Sequence, residues 1–261
     1  MSRRRLSVSH EPFLLARCLA VNYGPGFVIK THRHEWHQLL YATTGCMTVT
    51  CPATTWIVPP GRAVWIPANA EHGIRMWGTV AMRSMYFRPD PGVAEADSAC
   101  RVISVSPLLR ELVLRSVDLA GLDSREAAEQ QIAALVLHEV AQAEDGLLQL
   151  PLPRDERGRR VADAVLSDPS RKSAVEEIAR EAGLSQRTLE RVFSGDTGMS
   201  FGVWRQKARL LASLRVLAER GSVTDAALEC GYASMSAYIA AFRQTFGCTP
   251  GSLSFVGSKN L

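Results

Sequence analysis

The chain has 261 residues, of which 46% are hydrophobic and 21% charged, with a formal net charge of +4. These values describe a globular protein with a substantial core, built as one large domain or two ordinary ones. No apolar run approaches the roughly 18 residues of a membrane-spanning helix, and Glu11 and Pro12 interrupt the basic start before a signal-peptide core can form.

The cysteines at 18, 46, 51, 100, 230 and 248 include no C-x-x-C pair and no disulfide-framework spacing. Free thiols in a reducing cytoplasm are the expectation, although Cys46 and Cys51 are spaced to meet across a hairpin. Charge is uneven: residues 1–153 hold 14 Lys/Arg against 14 Asp/Glu, and residues 154–261 hold 16 against 12. The excess therefore lies in the C-terminal part, as suits a polyanionic partner.

In chain order, residues 12–90 are rich in Val, Thr, Trp, Tyr and Ile, punctuated by the turns YGPG, TTG, VPPG and IPANAEHG. Short strands at this density predict an antiparallel barrel or sandwich. The segment THRHEWHQLLYATTG (31–45) carries three histidines on a predicted strand. Alternation puts His32, His34, Trp36 and Gln38 on one face and Arg33, Glu35 and His37 on the other. His37 thus leaves the set.

From Pro107 the period becomes helical. Helices are predicted over 107–120 and 125–143, the second with Ile132, Leu135, Val136 and Val140 on one stripe. The segment 145–160, DGLLQLPLPRDERGRR, lacks a clean period and reads as the linker between domains 1–150 and 151–261. The expected fold class is α+β and multidomain: an N-terminal antiparallel β-barrel with following helices, then an all-α C-terminal domain.

The C-terminal region repeats itself. Residues 173–198 and 222–247 align Ser173 with Ser222, Ser185 with Ser234, Leu189 with Tyr238, Phe193 with Phe242 and Gly198 with Gly247. Gly183 falls within one residue of Gly231. Ser173/Glu176 and Ser222/Asp225 have capping-box spacing, a glycine makes the sharp turn, and Ser185 and Ser234 are placed to cap a second helix. This is a helix-turn-helix, written twice.

With Leu189, Val192 and Phe193 inside, Arg187, Glu190, Arg191 and Ser194 point outward, and Gln186 joins them at the helix start. Arginine suits guanine O6/N7 and glutamate suits cytosine N4. The second outward set, Met235, Ser236, Ile239, Ala240 and Arg243, offers apolar contact and one phosphate contact from Arg243. Between the units lies one predicted helix of about 20 residues, roughly 30 Å. That is near the ~34 Å separating successive major-groove faces.

Residues 157–254 resemble the AraC/XylS family of transcription regulators. GYASMSAYIAAFRQTFGCTPGSL is similar to that family's signature at Gly231, Tyr232, Phe242, Phe246, Gly247, Thr249 and Pro250, and Trp204 to Arg209 also fits. Ala240 and Ala237 depart from the Arg and Tyr often found there, which weakens base reading by the second unit. The doubled helix-turn-helix and the resemblance both point to double-stranded promoter DNA as a partner; a homodimer with contacts on helices 107–120 and 125–143 and RNA polymerase as a further partner are expected with it, and the lack of a spanning apolar run leaves no membrane partner expected.

Residues 26–76 resemble the two cupin motifs, matching at Gly26, His32, His34, Gly45, Gly61, Pro67 and His72. Gln38 replaces the acidic ligand, Asn69 a glycine and Met76 an asparagine. The resemblance implies a divalent metal on His32, His34, Gln38 and His72. Three imidazoles suit Fe, Ni, Zn or Cu, and an amide oxygen is a weaker fourth ligand.

The sequence leaves two roles open for these histidines: metal ligands, or polar groups of an organic effector pocket with Trp36 and Trp65 in its wall. Trp77 and Tyr86 read as core or lining, and Arg62 and Arg75 as solvent-facing or as anion ligands. The expected function is a transcription regulator that senses a small molecule or divalent metal. The alternative is a metal-dependent cupin enzyme with an auxiliary DNA-binding domain, for which no additional acid/base residue is identifiable.

Overall fold

The structure, a computed structural model, describes residues 13–89, 99–143, 149–171, 173–246 and 249–252. The basic start, Gly247 and Cys248 lie outside them. The described residues divide into two compact units, one formed by 13–51, 58–89 and 99–143, the other by 52–57 and 149–252. The short segment 52–57 thus groups with the C-terminal unit, well before the linker read from composition.

The chain runs β1 (Leu14–Tyr23), β2 (Val28–His32), β3 (His37–Ala42), β4 (Cys46–Cys51), β5 (Thr54–Val58), β6 (Arg62–Ile66), β7 (His72–Trp77), β8 (Val80–Phe87) and β9 (Arg101–Ser104). It continues through α1 (Pro107–Asp118), β10 (Gly121–Asp123), α2 (Ala127–Gln142) and β11 (Gln149–Pro151). Six helices follow among the described residues: α3 (Glu156–Ser167), α4 (Val175–Glu181), α5 (Gln186–Thr197), α6 (Phe201–Arg220), α7 (Val223–Glu229) and α8 (Met235–Phe246), closed by a 3-10 turn at Pro250–Ser252. The predicted linker 145–160 therefore contains β11 and the start of α3, capped by Asp155, which accepts from the amides of Arg157 and Gly158.

The strands form two antiparallel sheets, ordered β10-β1-β8-β3-β6-β9 and β11-β5-β4-β7-β2. The expected barrel does not close. Among the described residues β9 and β10 remain open edges of the first sheet, and β2 pairs with β7 alone.

The first sheet's Leu39, Tyr41, Ala63, Trp65, Met85 and Phe87 pack with Leu109 and Val113 of α1 and with Ala133, Val136 and Val140 of α2. Burying this apolar layer is the main drive for the unit's folding. On α2 the buried stripe keeps Val136 and Val140 of those read off the sequence but leaves Leu135 half exposed and covers Ala133; on α1 Leu108 is half exposed and Ser116 covered. Ser116 is tolerated inside because its Oγ donates to Leu112 O at 2.7 Å. Arg101 donates to the carbonyls of Val140 (2.6 Å) and Ala143 (3.3 Å), satisfying the C-terminal end of α2 with a cation.

Candidate metal centre and nucleic-acid interface

The predicted continuous histidine strand is broken. β2 ends at His32, β3 begins at His37, and residues 33–36 connect them. Strand parity therefore does not govern His34 or Trp36. Three histidines still converge by another route. His32 faces His72 in the β2–β7 register. His34 is held by its backbone carbonyl, which accepts from Asn69 N at 2.7 Å. Asn69 has φ +64°, so the motif position usually filled by glycine is left-handed here, and asparagine is among the few side chains that adopt it readily.

The ring centroids lie 4.4 Å apart for His32–His72, 5.1 Å for His34–His72 and 5.8 Å for His32–His34. One ring nitrogen from each lies within 4.8 Å of the others. Each Nδ1 meets a backbone carbonyl two residues away: Lys30 O at 3.0 Å for His32, Trp36 O at 2.7 Å for His34 and Ala70 O at 2.9 Å for His72. A carbonyl can only accept, so each Nδ1 carries a proton; in a neutral ring this leaves the lone pair on Nε2, the arrangement of metal-binding imidazoles. His72 Nε2 is buried and has no hydrogen-bond partner among the described residues. Burial, with His32 and His34 alongside, pushes the His72 pKa down to about 4 and keeps the ring neutral.

Gln38 completes the set. Its Nε2 donates to Ser84 Oγ (3.2 Å) and Tyr86 OH (3.1 Å), which turns Oε1 toward His34 Nε2 at 3.1 Å. Two lone-pair atoms at that distance repel unless a proton or cation lies between them. Ligands about 2.1 Å from one ion stand roughly 3 Å apart, so the pair suits a shared metal. His32, His34, His72 and Gln38 therefore fit a divalent transition ion.

His37 stands apart as expected, although not through parity: its Nδ1 accepts from Ala68 N at 3.1 Å and its ring stacks on Trp65 at 5.4 Å. Gln38 pairs with Ile66 and Leu39 with Trp65, so Trp65 is on the opposite face of the sheet from Gln38, in the core under the helices. The structure thus places it against His37 and away from the face of Gln38. Trp36 is fully buried beneath the guanidinium of Arg17. Sequence reading missed Ser84 and took Tyr86 only as core or lining, although their alternation on β8 was the signal: Tyr86 pairs with Gln38 and shares its face.

In the second unit both helix-turn-helices are present. Gly183 (φ +71°) and Gly231 (φ +75°) make the turns. Ser185, Ser222 and Ser234 accept from the amides of Thr188, Asp225 and Ala237, capping α5, α7 and α8. Ser173 does not cap α4. Ala174 occupies that position, and Ser173 Oγ instead accepts from Arg171 Nε at 2.9 Å.

On α5, Leu189 and Phe193 are buried, Phe193 against Phe201 and Trp204, while Gln186, Arg187 and Arg191 are exposed. Glu190 is half-buried and engaged: its Oε2 accepts from Phe201 N at 3.0 Å at the start of α6. It serves the next helix as an N-terminal acceptor, which lowers its availability to a base.

On α8, Tyr238, Ala241 and Phe242 are buried, with the Tyr238 hydroxyl donating to Ser213 Oγ at 2.8 Å. Met235, Ser236, Ala240 and Arg243 are exposed and Ile239 is half-buried. Ser236, Ile239, Ala240 and Arg243 line a shallow hollow with Gln244, which sequence reading passed over, and with Thr249, read there only as part of the signature. Continuing the outward spacing from Ala240 would have reached Gln244. The Trp204 to Arg209 stretch is structural: Trp204 Nε1 donates to Pro151 O (2.7 Å), Arg209 to Pro169 O (2.9 Å) and Arg171 O (2.7 Å), and Arg205 to Ser173 O (2.9 Å).

Both halves match known families. Residues 14–136 match the AraC-like ligand binding domain and residues 178–254 a helix-turn-helix domain. In this order the two matches give the make-up of AraC-type transcription regulators, a ligand-binding domain followed by a DNA-binding helix-turn-helix domain. It is 29% identical over 220 residues to the HTH-type transcriptional regulator NimR of Escherichia coli, covering 84% of this chain and 80% of that one. It is 38% identical to RipA of Corynebacterium glutamicum over 100 residues, 38% of this chain and 30% of that protein. Among solved structures it is similar to fatty-acid-bound ToxT of Vibrio cholerae at 11% identity and a TM-score of 0.37, covering 90% of this chain and 93% of that one. No described helix is long and apolar enough to cross a membrane.

Proposed function

We propose that the first unit senses a divalent transition metal (Zn, Ni or Fe) held by His32, His34, His72 and Gln38 Oε1, and that occupancy modulates promoter binding by α5 and α8. The observation that carries this reading is the convergence of the three imidazoles, one ring nitrogen of each within 4.8 Å of the others, with every Nδ1 tied to a backbone carbonyl and His72 Nε2 buried without a partner among the described residues. Bound there, the ion would supply charge and fixed coordination, drawing β2, the 33–36 segment, β3 and β7 into one arrangement. In the metal-free chain the Gln38 amide turns over, giving His34 an N–H and taking donation from the Ser84 and Tyr86 hydroxyls, which can donate as readily as accept. A ligand shifts the regulator only by its differential affinity for two such states.

On DNA, Arg187 and Arg191 read base edges, Gln186 supports them, and Arg243 contacts phosphate while Met235, Ser236, Ile239 and Ala240 give close contact in a second major groove. The regulator acts as a cytoplasmic homodimer in concert with RNA polymerase. Half-exposed Leu108 on α1 and Leu135 on α2 favour dimer contacts on those helices.

The test is metal content of purified full-length protein by mass spectrometry, paired with affinity for its own upstream DNA before and after chelation. One ion per chain, its loss in His72→Ala, and a several-fold change in DNA affinity on chelation are expected. Protein that retains no ion from zinc, nickel or iron, or whose affinity ignores chelation, defeats the metal reading and leaves a small organic effector.

A further inference from the structure

Cys51 ends β4, in the second sheet, and Cys100 immediately precedes β9, at the edge of the first. The two residues are 49 apart in the chain, both belong to the first unit, and both are partly exposed. Their sulfurs stand 3.1 Å apart, with the Cys51 S–H donating to Cys100 Sγ. A disulfide requires ~2.05 Å, so closure needs about 1 Å of movement. The hairpin pairing of Cys46 with Cys51 suggested by spacing does not occur: Cys46 is buried at the other end of the same strand, its S–H toward Met47 O. Cys18 and Cys230 are also buried, and burial pushes both thiols up to about 12. Among the described cysteines, then, two are reachable, and they face each other.

We propose that Cys51 and Cys100 form a reversible disulfide, an oxidation site for hydroperoxides that joins the two sheets of the sensing unit. The Cys100 thiolate attacks the peroxide O–O bond, forming a sulfenic acid and releasing water or an alcohol. Cys51 sulfur then attacks the sulfenic sulfur, the S–S bond forms, and water leaves with the Cys51 proton. Overall two thiols lose two electrons and two protons and the peroxide is reduced. The hydrogen bond from Cys51 supports this order, because it draws the Cys100 thiol below its ordinary pKa while raising that of Cys51. A pair of this kind stays reduced in a glutathione-rich compartment and closes transiently under oxidant. Cys51 follows Thr50, whose cross-strand partner Gly73 adjoins His72. The disulfide would therefore close next to the strand end that carries the buried imidazole. The oxidation site stands without the metal reading, since its test reads thiols alone.

Reduced full-length protein is treated with a small excess of hydrogen peroxide, alkylated without reduction and digested. The expected main product is a peptide pair joining Cys51 to Cys100, in an intact chain lighter by two hydrogens and restored by dithiothreitol. Cys51→Ser should strand Cys100 as a sulfenic acid captured by a cyclic dione, and Cys100→Ser should leave Cys51 a thiol. The wild-type map decides the pairing whatever the variants do. Linkage of either cysteine to Cys248 or to a second chain overturns the proposal. So does a wild-type pair left unoxidised at a dose that oxidises the same chain unfolded in guanidinium. Greater dione capture at Cys51 in Cys100→Ser than at Cys100 in Cys51→Ser overturns the assigned order of attack.

Discussion

The two helix-turn-helices share a plan and differ in what they offer a partner. In the first, α5 exposes Gln186, Arg187 and Arg191, long hydrogen-bonding side chains on a helix capped by Ser185. In the second, α8 exposes Met235, Ser236 and Ala240, with Arg243 and Gln244 near its far end. The inward faces are equally well built, with Leu189 and Phe193 in one, Tyr238 and Phe242 in the other. A repeated scaffold therefore carries an unequal readout. Side-chain hydrogen bonds discriminate bases, whereas small apolar groups mainly permit close approach and touch thymine methyls.

The largest expected contrast is at the turn glycines. A Cβ on Gly231 would stand 2.9 Å from Ser170 O at φ +75°, whereas one on Gly183, at φ +71°, would meet no atom within 4 Å. Gly231→Ala should cost about 2–4 kcal/mol, left-handed strain plus a backbone clash, and Gly183→Ala about 1–2 kcal/mol from strain alone. Thermal melts of the full chain measure both. Equal losses would mean that Ser170 yields freely and that the turns are equivalent.

Next comes DNA affinity. Arg191→Ala and Arg187→Ala should each weaken binding by about 1–3 kcal/mol and relax preference at one base pair, and Arg243→Ala should weaken all sequences alike and lower the salt slope by about one. Binding-site selection at two salt concentrations reads this. A change of sequence preference in Arg243→Ala, with none in Arg191→Ala, would reverse the assignment of the two units.

The smallest effects concern helix ends. Ser222→Ala should cost about 1 kcal/mol, because Ser222 caps α7, and Ser173→Ala within about 0.5 kcal/mol, because Ala174 holds the corresponding place. Glu190→Ala should lower stability by about 1 kcal/mol through the start of α6 and leave base preference unchanged. A preference altered at one base pair would restore Glu190 as a reader.

The histidine region contrasts with these helices in how it could be read. Helical periodicity, turn glycines and the caps at Ser185, Ser222 and Ser234 are local, set by residues within a turn or two of each other, so they were visible in the chain. His32, His34 and His72 were picked out by motif spacing, and they do meet. The argument from alternation failed at His34 and Trp36 because it assumes unbroken pleating, and residues 33–36 leave the strand. Trp65 read as a pocket residue because the sequence shows that faces alternate without saying which face the helices cover.

Sequence by itself determined the two-part organisation, the doubled helix-turn-helix, the outward arginines of α5 and the identity of the histidines. These depend on composition and short-range spacing, where backbone geometry leaves few choices. Tertiary structure alone decided that the sheets stay open, that Ser84 and Tyr86 aim Gln38 at His34, that Glu190 serves α6, that Arg205 and Arg209 hold the carbonyls of Pro169, Arg171 and Ser173, and that Cys51 lies against Cys100. Each joins residues distant in the chain or turns on which of several partners a polar group finds. Such pairings follow from packing and the need to satisfy buried polar atoms, which no local pattern records.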